Sequence, residues 1–297
     1  NDGMDVMGGA GISRGPKNLL AHFYMATPIG ITVEGANILT RTLIIFGQGA
    51  LRAHPYAFKE VDSIGKGDLA TFDSAFWGHV GHIVRNGCRA VALSLTRGLL
   101  APSPVSGSTA KYYRKLSWAS ATFATMGDIA MGSLGGSLKS RQKITGRFAD
   151  VLSWMYIGTS VLRRYEAEGR KKEDLPFVHF ALNHSLYEIQ KAFDGIFANL
   201  NPPGLGWLFS GPLRWWSNLN ALAGEHNDQH THKIASMILA DSEQRKRHTD
   251  GIFVPKNNIE QLGKLEFTFS VVKRAEATEK KMRAAVKART IPKAKGK

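Results

Sequence analysis

One carboxylate, Glu34, stands among apolar and small residues in the stretch 31–41, and Gly35 follows it directly. Glycine reaches backbone angles closed to other residues and leaves space for a close approach. Downstream, Leu39, Leu43, Phe46 and Ala50 recur at helical spacing, and Ile38, Ile44 and Ile45 widen the face. Glu34 is therefore placed at or just before the first turn of a buried helix. Desolvation raises the pKa of a carboxylate so placed, while the positive end of the helix dipole lowers it. That balance suits a general base near neutral pH. A Glu in a first turn is also an ordinary dipole-stabilising residue, and residue type alone does not separate the two.

Three other groups of residues could do chemistry. The N-terminal stretch carries Gly3, Gly8, Gly9, Gly11 and Gly15. A Gly-Gly-x-Gly turn lets backbone N–H groups approach a phosphate without side-chain obstruction. It lacks the full dinucleotide fingerprint and no strand precedes it. His79 and His82 lie three apart, a spacing that puts two ligands on one helix face, but the sequence names no third. His226, His230 and His232, with Glu225 and Asp228, are the densest ligand cluster, without the spacing of a metalloprotease helix; no metal is expected.

The elements that must hold these groups are helical. Pro16 opens a short helix over 16–27, and Thr27-Pro28-Ile29-Gly30 breaks it. The Glu34 helix stops at His54-Pro55. Helices are expected from Asp68 to Arg97, with Phe72, Phe76, Val80 and Ile83 as the core stripe, and from Lys111 to Lys139, bent or ended at Gly135-Gly136. Ile144, Phe148, Val151, Met155 and Leu162 stripe the next helix. Asp174 and Pro176 start another, in which Leu182, Leu186, Ile189, Phe193, Ile196 and Leu200 form the cleanest amphipathic pattern. Residues 201–218 read as a loop, because Pro202, Pro203 and three glycines oppose a regular helix. Its Trp207, Phe209, Trp215 and Trp216 suit either the core or a membrane interface. Leu262, Leu265, Phe269 and Val272 stripe a last helix to Arg289, although 267–271 also alternates like a strand. The final six residues are expected to be mobile.

Composition narrows the function. The 297 residues carry 39 Lys/Arg and 24 Asp/Glu, a formal charge of +15. Residues 273–297 hold ten basic and two acidic side chains, or +8 of it. No nucleic-acid motif or basic face interleaved with aromatics accompanies this charge. Anionic membrane or the phosphates of coenzyme A are better partners, and a solubilising tail is the plain alternative. The single Cys88, read as a small buried hydrophobe, excludes internal disulfides. The most apolar run, 118–136, is interrupted by Asp128 and reads as a tightly packed helix rather than a membrane span.

Two motifs in order sharpen the reading. Val33-Glu34-Gly35-Ala36, followed by a helix ending Arg52-Ala53-His54-Pro55, resembles the catalytic-glutamate segment of acyl-CoA dehydrogenases. Upstream, at a fitting interval, Met7-Gly8-Gly9-Ala10-Gly11-Ile12 resembles that family's glycine motif. Glu173-Asp174-Leu175-Pro176-Phe177-Val178-His179 and Val271-Val272-Lys273-Arg274-Ala275-Glu276 resemble the C-terminal extension of its bacterial fatty-acid β-oxidation branch. The resemblance implies an all-α chain: the end of the dehydrogenase helical bundle over 1–56, then a larger helical extension with a basic tail over 57–297. It implies FAD as cofactor and acyl-CoA as substrate, an electron-transfer acceptor, a homo-oligomer and a cytoplasmic protein; peripheral contact with the inner membrane is a separate hypothesis, resting on the aromatic segment 201–217 and the basic tail 273–297. By resemblance Glu34 is the base, its N–H and a flavin hydroxyl hold the thioester oxygen, and Gly35 gives the substrate room. Gly8, Gly9 and Gly11 touch the flavin's ADP portion, usually from a neighbouring subunit. Asp5 and Ile38 stand where the family commonly has Gln, and Ala36 where it has Thr, so no flavin contact is carried to those three. The family's flavin lies between a β-barrel domain and the helical bundle, and this sequence contains no barrel. The chain is thus read as the C-terminal part of a longer protein, expected on its own neither to hold FAD nor to turn over. An acyl-CoA oxidase with the same base, and a non-catalytic membrane-facing helical adaptor, are the alternatives.

Overall fold

The computed structural model describes residues 1–32, 38–256 and 259–290, and among these there is no strand. Two compact units partition the chain: 30–236, and a second made from 1–29 and 237–297.

The first unit is built on five helices: α1 (Ala57–Lys66), α2 (Leu69–Leu95), α3 (Ala110–Leu134), α4 (Gln142–Ala167) and α5 (Leu175–Asn199). Each start has a local cause. Asp68 caps α2, its carboxylate accepting from the Thr71 N–H at 3.0 Å. Pro176 sits in the first turn of α5, where its missing N–H costs nothing. Gly135, at φ 49°, ends α3 in a conformation that glycine adopts without strain. Sequential neighbours pack together: α1 on α2, α2 on α3, α3 on α4, and α4 most extensively on α5.

The α5 stripe is the core of the unit. Leu182, Leu186, Ile189, Phe193, Ile196 and Leu200 are all buried. They meet Phe148, Val151 and Leu162 of α4 and Tyr112 and Leu116 of α3. Each buried Leu or Ile side chain contributes about 1.5–3 kcal/mol relative to exposure.

Two stripes differ from expectation. On α2, Phe76 and Ile83 are exposed, and the inward face runs Ala75, His79, His82, Asn86, Ala90, Leu93. That series also steps by three and four, but its middle is polar, so periodicity of hydrophobicity misses it. After Glu34, Ile38, Leu39 and Ile44 are exposed, while Thr42, Phe46 and Gly47 are buried. Thr40–Gln48 is π-helical, and its wider turn moves the register away from a 3.6-residue stripe.

Three further expectations are corrected. Residues 206–219 are helical, not loop: Gly206–Leu208, a π-helical turn Phe209–Leu213 around Pro212, then Arg214–Leu219. The wider turn accommodates the proline. Phe209 points into the core and Trp216 donates to Ser94 Oγ at 2.7 Å, while Trp207 and Trp215 face solvent. The helix expected from Pro16 begins only at Ala21. Cys88 is exposed, because it lies on the outer face of α2.

In the second unit, short helices Asp2–Met7, Gly9–Ile12 and Ala21–Ala26 belong with Glu243–Thr249 and the long Gln261–Lys287. The last is helix throughout, and the strand-like alternation at 267–271 has no structural counterpart. Only Gly263 of it is buried; Leu265 and Val272 are exposed. Arg245 bridges to Glu266 at 3.2 Å and stacks its guanidinium over Phe269. The terminal residues expected to be mobile lie outside the described residues. No helix among the described residues is long and apolar enough to cross a membrane.

Candidate functional site

Glu34 and Gly35 lie outside the described residues, as does Ala36. The segment that carries them forward is described, and it is clamped at three points. Arg41 forks onto Asp150 of α4, donating through Nε at 2.5 Å and through Nη2. Phe46 stacks on Phe148 of α4, centroids 4.2 Å apart and planes 6° from parallel, and meets Phe123 of α3 edge-on at 5.8 Å. His54 ends the run, its Nε2 3.1 Å from a carboxylate oxygen of Asp128 on α3. Gly146 makes the first clamp possible, since a Cβ there would lie 3.0 Å from Arg41 Nη1. The chain leaving Glu34 is therefore fixed in register against two core helices. π-Helical segments such as Thr40–Gln48 recur at functional sites.

The third clamp opens into a polar cluster. His54 accepts the N–H groups of Tyr56 (3.3 Å) and Ala57 (3.0 Å) on Nδ1, so the ring also starts α1. Beside it stand His79 and His82, ring centroids 4.4 and 5.1 Å from that of His54. Glu60 of α1 meets His79 Nδ1 at 2.9 Å, and Asn86 meets His82 Nε2 at 2.9 Å. Burial holds the His54 pKa below its ordinary value, and the Asp128 charge opposes that shift in part. A cavity of about 310 Å3 borders the cluster, walled by Phe46, Ala50, Phe123, Met131 and Leu152.

A second, more apolar cavity of about 400 Å3 lies between α2, α3, α5 and the aromatic segment. Trp118, Met126, Phe193, Phe197, Phe209 and Trp216 line it. Gln190 pins its rim, donating to Ser217 Oγ at 3.1 Å and accepting from the Leu222 N–H at 3.1 Å.

The glycine turn belongs to the other unit. Gly8 has φ 55° and ψ −132°, angles that require glycine. A Cβ on Gly8 or Gly9 would meet nothing, and both are exposed. Gly11 is different: a Cβ there would lie 2.7 Å from the Met4 carbonyl oxygen, and its own carbonyl accepts from Asn18 Nδ2 at 2.9 Å. Gly8 and Gly9 thus present open backbone, and Gly11 closes the turn on itself.

Among the described residues, His226, His230 and His232 form no ligand set. His226 instead stacks on Phe180, centroids 4.1 Å apart, and lies 5.5 Å from the His184 ring.

Asp128, His54 and Glu60 are the site residues that sequence reasoning did not assemble. A signal existed: Asp128 is a lone carboxylate in the small-residue run 118–136, and it falls beside the His79–His82 pair. Only the α2–α3 packing brings them together.

A family model described as acyl-CoA dehydrogenase, C-terminal, bacterial type, matches residues 51–297. No solved structure matches the chain.

Proposed function

We propose, for a chain that belongs to the bacterial-type acyl-CoA dehydrogenase C-terminal family, that it serves the FAD-dependent oxidation of acyl-CoA to trans-2-enoyl-CoA in fatty-acid β-oxidation. Glu34 removes the α-proton of the thioester, and Gly35 leaves the substrate room beside it. In this reading residues 1–56 close the dehydrogenase bundle and 57–297 form the extension. One observation supports it: in sequence the Val33-Glu34-Gly35-Ala36 motif precedes a segment held by the Arg41–Asp150, Phe46–Phe148 and His54–Asp128 contacts, and the family match begins near the end of that segment, at residue 51.

The α-proton of a thioester is weakly acidic, so its base must be held in place before the substrate arrives. The clamps at Arg41, Phe46 and His54 fix the described residues that follow the motif, which supports that reading. The thioester oxygen, where enolate charge develops, needs N–H donors, and the Glu34 backbone N–H is one. Bound flavin supplies the acceptor for the β-hydride. Gly8 and Gly9 fit a role at its phosphates, because their exposed, side-chain-free backbone leaves a diphosphate unobstructed. Gly11 supports the turn from within.

Glu34→Gln tests this in the assembled enzyme. Acyl-CoA-dependent reduction of an artificial electron acceptor should fall at least about a hundredfold, as for loss of a general base, with FAD content unchanged. Retained turnover at equal FAD content would remove Glu34 from the reaction.

A further inference from the structure

The apolar cavity between α2, α3, α5 and the segment 206–219 is held open by polar contacts around it. Trp216 donates to Ser94 Oγ of α2 at 2.7 Å, and Arg214 Nε donates to Asp194 of α5 at 2.7 Å. Gln190 of α5 donates to Ser217 Oγ and accepts from the Leu222 N–H, each at 3.1 Å. Arg97, just past the end of α2, donates to Asn220 Oδ1 at 2.9 Å. These contacts set the stand-off of the fourth wall. Phe209, Leu213 and Trp216 reach down from it and still leave about 400 Å3 unfilled. Protein interiors are close-packed, and voids much larger than a water molecule are few.

The lining says what can fill the space. It includes no charged side chain. Ser94, Thr125, Gln190 and Ser217 make their hydrogen bonds within the protein, and no lining residue holds a buried polar atom without a partner. An occupant therefore meets hydrocarbon, which water leaves dry. Shape narrows the class further. Along α3 the lining runs from Trp118 to Ile129, about 16 Å at 1.5 Å per residue. A volume of about 400 Å3 over that length leaves a bore about 5 Å across, the width of one extended hydrocarbon chain. Benzene, with six carbons, occupies an apolar cavity of about 150 Å3, so about 400 Å3 takes about sixteen carbons. Val91, Leu95 and Leu213 line the cavity and are also exposed, so the open side lies there.

We propose that this cavity binds a single alkyl chain of up to about sixteen carbons, carried by a fatty acid or its thioester and recognised by the chain alone. The head group stays outside, at the Val91, Leu95 and Leu213 mouth. The site lies across α3 from the segment 40–54: Met126 and Ile129 face the cavity, whereas Phe123 and Asp128 meet Phe46 and His54. The inference is independent of the dehydrogenase reading, since no lining residue is assigned to that reaction.

The full chain is titrated with saturated fatty acids of eight to fourteen carbons, below their micelle concentrations, by isothermal calorimetry. Tryptophan emission is followed in parallel, because Trp118 and Trp216 line the cavity. Affinity should rise about fourfold with each added methylene. Gly87→Leu fills the space from α2, since Gly87 lines it and a Cβ there meets nothing within 4 Å. Losing room for about four carbons should weaken dodecanoic acid more than tenfold. Thr122→Leu, from α3, is the second filling variant. Ala50→Leu, which intrudes on the other cavity, should change nothing. Dodecanoyl-coenzyme A should bind as tightly as dodecanoic acid. Thermal melting establishes that each variant folds. Absence of binding, affinity independent of chain length, or parental affinity in a folded filling variant overturns the proposal. Weakening by Ala50→Leu, or a tenfold preference for acid or thioester, overturns it as well.

Discussion

Phe46→Ala should loosen the segment that follows Glu34 without altering the carboxylate itself. Phe46 is 4% exposed and lies flat on Phe148 with Phe123 at its edge. Truncating a buried Phe costs about 3–5 kcal/mol. One side of the ring already borders a cavity, so its loss enlarges an existing space instead of opening a sealed void. The expected cost therefore sits at the low end, about 3 kcal/mol. At about 2–4 °C per kcal/mol for a domain of this size, the unit should melt about 6–12 °C earlier. Near-ultraviolet circular dichroism during a thermal ramp reads this directly. Phe58→Ala is the control, because Phe58 is 46% exposed and its removal should stay within about 0.5 kcal/mol of the parent. In the assembled enzyme Phe46→Ala should also lower turnover, since the base segment loses one of its clamps. Melting of Phe46→Ala within about 2 °C of Phe58→Ala would refute the clamp.

Other outcomes follow from single contacts. Ile189→Ala, in the fully buried α5 stripe, should cost about 2–5 kcal/mol in urea unfolding. Burial, then the nearby Lys111, holds the His179 pKa below its unfolded value, so unfolded chain binds more protons as pH falls below about 6.5. Stability should therefore drop on acidification through that window, and His179→Gln should flatten the drop. Burial pushes the Tyr112 phenol up to about 12. Its contribution is whole below the unfolded value near 10 and is lost as pH rises through about 12, which ultraviolet titration against unfolding reads. Gly9→Ala should leave the fold intact and lower FAD retention in the assembled enzyme, whereas Gly11→Ala should disturb the turn itself.

The parts legible in the sequence are those where burial follows hydrophobic periodicity. The α5 stripe is the clearest case: leucine and isoleucine at four-three spacing landed inside without exception. Boundaries written in proline and glycine were legible too, at Pro55, Gly135 and Pro176. The inward face of α2 was not, because its middle is polar, with His79 bonded to Glu60 of α1 and His82 to Asn86 of the same helix, while Phe76 and Ile83 face out. The π-helical turns at Thr40–Gln48 and Phe209–Leu213 were also invisible, since a template of 3.6 residues per turn cannot register a wider one. Of the site, Gly8 and Gly9 are exposed with nothing within reach of a Cβ, and their role at a cofactor stays a proposal. Asp128 entered only through packing, because no spacing along the chain links it to His79 or His54.

The central claim is that Glu34 takes the α-proton, and proton exchange tests it apart from electron transfer. The assembled enzyme, anaerobic and without electron acceptor, is incubated with saturated acyl-CoA in deuterated water, and deuterium entering the α-carbon is followed by mass spectrometry. The parent enzyme should exchange, and Glu34→Gln with equal FAD content should not. Exchange at the parental rate in Glu34→Gln would contradict the account.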